Sequence, residues 1–150
     1  MKSTKWDERF LELAKLCGSW SKDPSTQVGA VIVDDNNRIV SIGFNGFPRG
    51  IQDSEERLLD REEKYATIVH AEANALMFAN KSVEGCTIYT WPFQPCSACA
   101  GLIIQSGITR VVSVVHEGER WKKNFRISRN LFEEAGVEMV WITKEKDLLL

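Results

Sequence analysis

The middle of the chain combines metal-binding side chains with a carboxylate that can move protons. His70 is followed two residues later by Glu72, and Pro95 is followed by Cys96 and Cys99. One imidazole and two thiolates are the kind of three-ligand set that holds a catalytic zinc ion and leaves a fourth position open for water. Because two thiolates make zinc a weaker Lewis acid than three imidazoles do, we expect Glu72 to act as a base beside that water.

The local sequence predicts that two helices carry these side chains. Pro95 fits a helix start, so the Cys-x-x-Cys spacing places both sulfurs on the first turn of a helix from Pro95 to Gln105. A helix N-terminus also favours the thiolate form that binds metal. A second, mostly apolar helix is predicted from Thr67 to Ala79, with His70 and Glu72 near its start.

Two other kinds of site use a Cys-x-x-Cys pair. A thioredoxin-like redox pair would leave His70 and Glu72 without a role. A structural zinc site would need a fourth ligand, for which His116, Cys17 and Cys86 are the remaining candidates, and it has no use for a positioned base. The complete pattern of His-x-Glu followed by Pro-Cys-x-x-Cys therefore favours a catalytic zinc ion, one in each subunit.

The composition limits the class of protein. With 150 residues, 43% of them hydrophobic and 27% charged, we expect a single globular domain over residues 1–150. No apolar run approaches the roughly 20 residues of a membrane span, and the polar N-terminus does not resemble a signal peptide. Four cysteines, two of them in the metal pattern, favour a reducing cytoplasm over a disulfide framework. The net charge of -2 argues against nonspecific nucleic-acid binding.

Apolar periodicity and turn residues predict the remaining elements. They are a helix from Trp6 to Trp20, a hairpin of strands from Gln27 to Val33 and Arg38 to Phe44, strands from Cys86 to Trp91 and Thr109 to Val115, a helix from Asn124 to Ala135, and a last strand from Val137 to Ile142. The charge-rich stretch from Asp53 to Lys64 predicts a solvated helix or another ordered segment. No element is predicted for Lys144 to Leu150.

The order of these elements predicts an α/β fold: three layers, α/β/α, around a five-stranded mixed sheet. The helix crossover makes the strands at 86–91 and 109–115 parallel. Ligands of such sheets bind beyond the carboxyl ends of the strands, where Pro95 and the loop from His116 to Trp121 should meet. That loop is therefore a candidate for contact with the substrate.

Several stretches carry a resemblance to a known family. They are 21–30 (SKDPSTQVGA), 43–50 (GFNGFPRG), 69–75 (VHAEANA), 95–99 (PCSAC) and 103–108 (IIQSGI), within a region from about Trp6 to Val140. The histidine and cysteine motifs together are the signature of zinc-dependent nucleobase deaminases. The chain resembles the cytidine deaminase-like superfamily, and its lysine-containing and Asn-Gly loops are most similar to those of deoxycytidylate (dCMP) deaminases.

The resemblance implies hydrolytic deamination of dCMP to dUMP and ammonia, which supplies dUMP for thymidylate synthesis. Zinc-bound hydroxide would attack C4 of cytosine, and Glu72 would carry the protons. Val28 and Gly29 would line the base, while the backbone N–H of Ala71 would meet the base carbonyl. Asn45 would bond the sugar or phosphate, although Asn-Gly is also a common turn pair.

Other candidate contacts come from position and charge. Trp91 lies just before the cysteine helix and is expected to wall the base pocket. A phosphate needs cationic or N–H partners, and Lys22, Arg49 and Arg120 all lie in predicted loops. Solvated surface charge is the alternative for each of these cations, and Lys22 ranks first because its loop matches the family.

Regulation and assembly are further expectations from the resemblance. Family members are often hexamers that dCTP activates and dTTP inhibits, and their Asn-Gly loop lies near the effector site. Gly43, Asn45, Gly46 and Arg49 are the matching candidates here, and Mg²⁺ would accompany a bound dCTP or dTTP. The resemblance thus implies a homo-oligomer, a hexamer, with nucleotide effectors.

Other functions share the zinc pattern. The alternatives are deaminases of dCTP, cytidine, tRNA adenosine or guanine, and a catalytically silent, zinc-stabilised interaction module. The net charge argues against an enzyme that binds a polyanion such as tRNA. An enzyme for free cytidine would not need a lysine-bearing loop for a phosphate. Glu72 argues against the silent module. A guanine deaminase would differ from a cytosine deaminase in the shape of its base pocket, which residue spacing does not reveal. Spacing also leaves open which sugar the substrate carries and how many phosphates it has.

Overall fold

The computed structural model describes residues 4–143, which form one five-stranded sheet with helices on both faces. The elements are α1 (Lys5–Gly18), β1 (Gly29–Val33), β2 (Ile39–Phe44), α2 (Glu55–Leu59), α3 (Arg61–Thr67), α4 (Ala71–Phe78), β3 (Thr87–Trp91), α5 (Ser97–Gln105), β4 (Arg110–Val114), α6 (Lys122–Ala135) and β5 (Glu138–Ile142). No helix in this range is long and apolar enough to cross a membrane. The stretch from Lys144 to Leu150 lies outside the described residues.

The sheet has the strand order β2-β1-β3-β4-β5. β1 is antiparallel to both of its neighbours, whereas β3, β4 and β5 are parallel to one another. The hairpin and the parallel crossover expected from the sequence are therefore confirmed, as is the mixed five-stranded sheet. The carboxyl ends of β3 and β4 point to the same edge, where the loops that follow them meet.

Strand β1 shows why helices cover both faces of the sheet. Its sequence is a continuous apolar run, typical of a strand buried on both sides. Ala30 and Ile32 pack into a core shared with α4, α5 and α6. Val31 and Val33 pack into a second core with α1. The three-layer arrangement follows from this division.

An ion pair with a buried carboxylate joins α1 to the sheet. Asp7 forms a capping box with Thr4 at the start of α1. Its carboxylate also accepts hydrogen bonds from Arg110 of β4 at 2.7 and 2.8 Å, and from the hydroxyl of Tyr89 of β3 at 2.8 Å. Burial alone would raise the pKa of Asp7, but these hydrogen bonds outweigh it and hold the pKa below the ordinary value.

The segment before the metal motif differs from the prediction of one helix from Thr67 to Ala79. α3 ends at Thr67, α4 begins at Ala71, and His70 is the N-cap of α4. The backbone between the two helices is extended because Val69 and Gly46 exchange hydrogen bonds of 2.7 and 3.1 Å. The Asn-Gly loop therefore holds the chain in place one residue before the metal ligand.

Several other boundaries are shifted, among them those of the cysteine helix and of the charge-rich stretch. The cysteine helix begins at Ser97 rather than Pro95, so Cys96 is its N-cap and only Cys99 lies within the helix. The charge-rich stretch forms two short helices, α2 and α3, which Ser54 and Asp60 cap with their side chains. These caps interrupt what the charge pattern alone suggests could be a single helix.

Candidate active site

Three metal-binding atoms meet beyond the carboxyl end of β3. His70 Nδ1 lies 3.5 Å from Cys96 Sγ and 3.3 Å from Cys99 Sγ. Ligands held about 2.0–2.3 Å from a tetrahedral zinc ion stand roughly 3.5 Å apart, so these atoms fit zinc. Within residues 4–143 no other group of three histidine, cysteine or acidic side chains could hold a metal ion. The structure thus brings together the three predicted ligands.

Two helix N-termini present the ligands. His70 and Cys96 are the N-caps of α4 and α5, and neither side chain caps its own helix. The imidazole and the sulfur are therefore left to face each other. Cys99 completes the group from the first turn of α5, where it is buried.

Helix α6 secures the loop that carries Cys96. Asn124 takes over the capping of α5: its Oδ1 accepts from the Ser97 N–H at 2.9 Å, and its Nδ2 donates to Ser97 Oγ at 3.0 Å. Ser128 donates to the carbonyl of Pro95 at 2.7 Å. The buried Gln94 side chain donates to a backbone carbonyl of α6 at 3.0 Å. The cysteine loop is thereby held while its sulfurs stay available for metal.

The two thiols differ in acidity. The pKa of Cys96 falls to about 4, chiefly because Cys99 donates a hydrogen bond to its thiolate, with a further contribution from His70. The same interaction and burial raise the pKa of Cys99 far above its ordinary value. The hydrogen bond between His70 and Cys96, together with the charge on Cys96, in turn raises the pKa of His70. A divalent cation would displace these protons, so metal binding here releases protons.

Glu72 is a buried carboxylate beside this group. It is the second residue of α4 and only 3% exposed. Burial is the main cause that raises its pKa to about 7, and the charge on Cys96 raises it further, while its own backbone N–H and His70 lower it. A carboxyl group whose pKa lies near neutrality can both accept and return a proton.

A cavity of about 710 Å³, counting the open solvent at its mouth, is lined by Glu72 and by two of the three metal ligands, His70 and Cys96. The residues that line it are Asp23, Thr26, Val28, Asn45, Lys64, Tyr65, Ile68, His70, Ala71, Glu72, Phe93, Cys96, Arg120, Trp121 and Phe125. The loop after β4 thus reaches the metal edge, as the topology predicts. Of the predicted contacts, Val28, Asn45, Ala71 and Arg120 line the cavity.

Both N–H groups of the Asn45 side-chain amide donate hydrogen bonds within the protein. Its Nδ2 donates to Thr26 O at 2.9 Å and to Asp23 Oδ2 at 3.4 Å, and its Oδ1 accepts from the Val28 N–H at 2.9 Å. These bonds order the loop between α1 and β1. In this structure Asn45 shapes the cavity wall, and its amide N–H groups are not free for a sugar or phosphate.

Three predicted contacts lie elsewhere. Lys22 pairs with Asp53 at 3.1 Å on the surface, with 72% of its side chain exposed. The guanidinium of Arg49 lies 5.7 Å from the ring centroid of Phe78. The prediction that Trp91 walls the base pocket is wrong, because strand alternation turns its ring to the α1 face of the sheet. None of the three lines the cavity.

Two glycines assigned to substrate or effector binding permit close packing. A Cβ on Gly29 would lie 1.8 Å from the carbonyl oxygen of Ala14 in α1. A Cβ on Gly43 would lie 2.4 Å from the carbonyl oxygen of Ala71 in α4. Gly46 differs, because nothing lies within 4 Å of the equivalent position. Helix packing therefore accounts for Gly29 and Gly43 without a ligand.

Sequence reasoning missed several cavity residues. Phe93 could have been found, since it lies in the short loop between β3 and the cysteines. Its ring packs against Phe125 and His116 with centroids 5.5 and 5.4 Å away. Lys64 gave no local signal, because its neighbours Glu62 and Glu63 suggest a solvated face.

Comparison with known proteins agrees with this site. A family model described as the cytidine and deoxycytidylate deaminase zinc-binding region matches residues 4–115. A protein of Aliivibrio fischeri described as an uncharacterized deaminase in the luxG 3' region is 49% identical, over 93% of this chain and 95% of that protein. The deoxycytidylate deaminase of Mus musculus is 43% identical, over 88% and 76% of the two chains.

A solved structure shows the same fold. The dCMP deaminase of cyanophage S-TIM5, in complex with dCMP and dUMP, superposes with a TM-score of 0.75 over 95% of this chain and 100% of that chain, at 22% identity. Together with the family match over residues 4–115, this establishes the architecture around the metal ligands. The chain belongs to the zinc-binding cytidine and deoxycytidylate deaminase family of enzymes.

Proposed function

We propose that the protein deaminates dCMP to dUMP and ammonia, and so supplies dUMP for thymidylate synthesis. The observation that carries this proposal is the buried carboxylate of Glu72, which lines the same cavity as His70 and Cys96 of the His-Cys-Cys group. A proton-transfer group beside three zinc ligands is the equipment for hydrolytic deamination. The choice of dCMP is supported by relatives named deoxycytidylate deaminase at 42–43% identity.

The residues of the chain divide the chemistry among them. Zinc held by His70, Cys96 and Cys99 would supply Lewis acidity and lower the pKa of a coordinated water. Glu72 accepts the proton that the water loses and delivers it to N3 of the cytosine. It then takes the proton of the new hydroxyl group on C4 and passes it to the amino group, so that the C4 carbonyl forms as ammonia leaves. The first backbone N–H groups of α4 have no acceptor within the helix, so that of Ala71 can donate to the base carbonyl.

Arg120 is the predicted phosphate contact that the cavity retains. Its guanidinium lies 5.3 Å from the ring centroid of Tyr65 and 5.5 Å from that of Trp121. It also donates a hydrogen bond to the Tyr65 hydroxyl. These aromatic contacts hold the guanidinium at the cavity wall, where its remaining N–H groups can bind a 5′-phosphate.

The test is ammonia release by zinc-loaded protein offered dCMP, CMP, dCTP, deoxycytidine and guanine side by side. We expect dCMP to give the highest kcat/KM, because only it combines the base, the sugar and a single phosphate that the site should hold. The assay is repeated with dCTP as an effector. Turnover of guanine with none of dCMP under either condition would overturn the proposal.

We further propose a homo-hexamer that dCTP activates and dTTP inhibits, with Mg²⁺ accompanying the effector. The supporting features are the intact Gly43–Gly50 loop and the exposed apolar side chains of Met77 and Phe78, 79% and 58% exposed, near Arg49 of that loop. Sedimentation measures the assembly, and activity titrated with each nucleotide measures the regulation. Flat titration curves would contradict the regulatory part.

A reducing cytoplasm is the proposed location. Cys96 and Cys99 must stay as thiolates to bind zinc, and no disulfide forms between cysteines in the described residues. Localisation of the tagged protein in its own cell would test this, and an oxidising compartment would contradict it.

A further inference from the structure

The described part of the chain contains one buried lysine, and it lines the active-site cavity. Lys64 is only 4% exposed. Its Nζ donates one hydrogen bond, to Asp23 Oδ1 at 3.1 Å. An ammonium group has three donors, and removing it from water is costly unless those donors are satisfied. Within residues 4–143 no further protein acceptor bonds the other two, so they are available to a molecule in the cavity.

Most of the acceptor capacity of the Asp23 carboxylate is used within the protein. Oδ1 accepts from the backbone N–H groups of Ser25 at 2.8 Å and Thr26 at 3.3 Å, in addition to Lys64. Oδ2 accepts from Asn45 at 3.4 Å. The ion pair therefore offers the cavity chiefly the free hydrogen-bond donors of Lys64.

A second cation lies beside the same aromatic ring. Lys64 Nζ is 5.6 Å from the ring centroid of Tyr65, and the guanidinium carbon of Arg120 is 5.3 Å from it. Both residues line the cavity. A doubly charged anion in the cavity would be attracted to both positive groups. A phosphate monoester has this charge and enough oxygens to accept from both.

We propose that Lys64 is a specificity-determining residue whose ammonium binds the 5′-phosphate of the nucleotide together with Arg120. Asp23 is then a positioning residue that holds the ammonium in place. This inference rests on the proposed deamination of a nucleotide at the same site. It assigns the distinction between nucleotide and nucleoside to a buried lysine of α3, rather than to the exposed Lys22.

The first test compares dCMP with deoxycytidine in the Lys64→Met variant. Loss of a charged hydrogen bond should lower kcat/KM for dCMP about 10- to 100-fold, mainly through KM. For deoxycytidine, which lacks the phosphate, kcat/KM should stay within about twofold. Lys81→Met is the matched control, because Lys81 forms an exposed ion pair with Asp34 at 3.3 Å. It should leave kcat/KM unchanged for both substrates.

A second variant guards against misfolding, since Lys64→Met leaves Asp23 without its partner. The double variant Asp23→Asn with Lys64→Met removes both charges and keeps an oxygen for the amides of Ser25 and Thr26. Calorimetry on the zinc-loaded protein then compares dUMP with deoxyuridine, and Lys64→Arg is measured beside it. We expect dUMP binding about 10- to 100-fold weaker in the double variant, deoxyuridine binding unchanged, and partial recovery with arginine.

The outcomes separate this inference from the proposed function. If the wild-type protein does not deaminate dCMP, the proposed function fails, and the binding experiment still decides the role of Lys64. If the wild type is active and the folded Lys64 variants keep the normal preference for dCMP and dUMP, the inference is wrong. If the variants lose kcat/KM or affinity equally for the nucleotide and the nucleoside, Lys64 has a purely structural role. That result would also overturn the inference.

Discussion

Replacing Gly43 with alanine should damage the active site through helix packing. Gly43 lies in β2 against the first turn of α4, the helix that carries Glu72. An added Cβ would lie 2.4 Å from Ala71 O and 2.5 Å from Ala75 N. Ordinary contacts begin at 3.4 Å, so α4 must move away from the sheet by about 1 Å.

This displacement sets the size of two effects. Overpacking of a tight contact costs about 1–3 kcal/mol, which should lower the melting temperature by roughly 3–10 °C for a chain of this size. A shift of about 1 Å in a catalytic group lowers the rate on the order of 100-fold, so kcat should fall accordingly. The loss should be present without any effector, because it comes from the position of Glu72.

The assay measures ammonia release from dCMP and thermal unfolding on the zinc-loaded variant. Gly101→Ala is the control, since nothing lies within 4 Å of the added methyl group and alanine favours a helix. That control should keep normal activity and unfold at the same or a slightly higher temperature. A Gly43→Ala protein with normal melting temperature and kcat would refute the packing argument, as would a defect that appears only when dCTP is added.

Two further predictions concern the parts that hold the site together. Asp7→Asn should destabilise the fold by about 3 kcal/mol at neutral pH. Because the folded pKa of Asp7 is lowered, its contribution is complete above the unfolded value and disappears as pH falls through the folded one. Urea unfolding should therefore show the two proteins converging in acid, and a constant gap would contradict this. Asn124→Ala removes the cap of α5 and should weaken zinc binding about 10- to 100-fold in a chelator competition, whereas unchanged zinc affinity would deny it a positioning role.

The features predicted correctly depend on residues close together in sequence. The Cys-x-x-Cys spacing, the proline before it and the apolar run of β1 each specify a local structure. The crossover rule then places β3 and β4 side by side. These signals were sufficient to predict the mixed sheet and the three metal ligands.

The features missed depend on distant parts of the chain. Lys64 is buried only because Asp23, 41 residues away, supplies its partner. Trp91 is close to the cysteines in sequence, but alternation along β3 turns it to the opposite face. The tight contacts at Gly29 and Gly43 depend on how α1 and α4 pack on the sheet. None of these relations has a local pattern that reveals it.

The most direct test of the central claim is the rate of dCMP deamination by zinc-loaded Glu72→Gln. Glutamine keeps the size of the side chain but cannot carry protons. We predict that kcat falls about 100- to 10,000-fold while the protein still holds zinc at the wild-type level and binds dUMP normally. Turnover within tenfold of wild type, at full zinc occupancy, would contradict the assignment of Glu72 as the proton-transfer group.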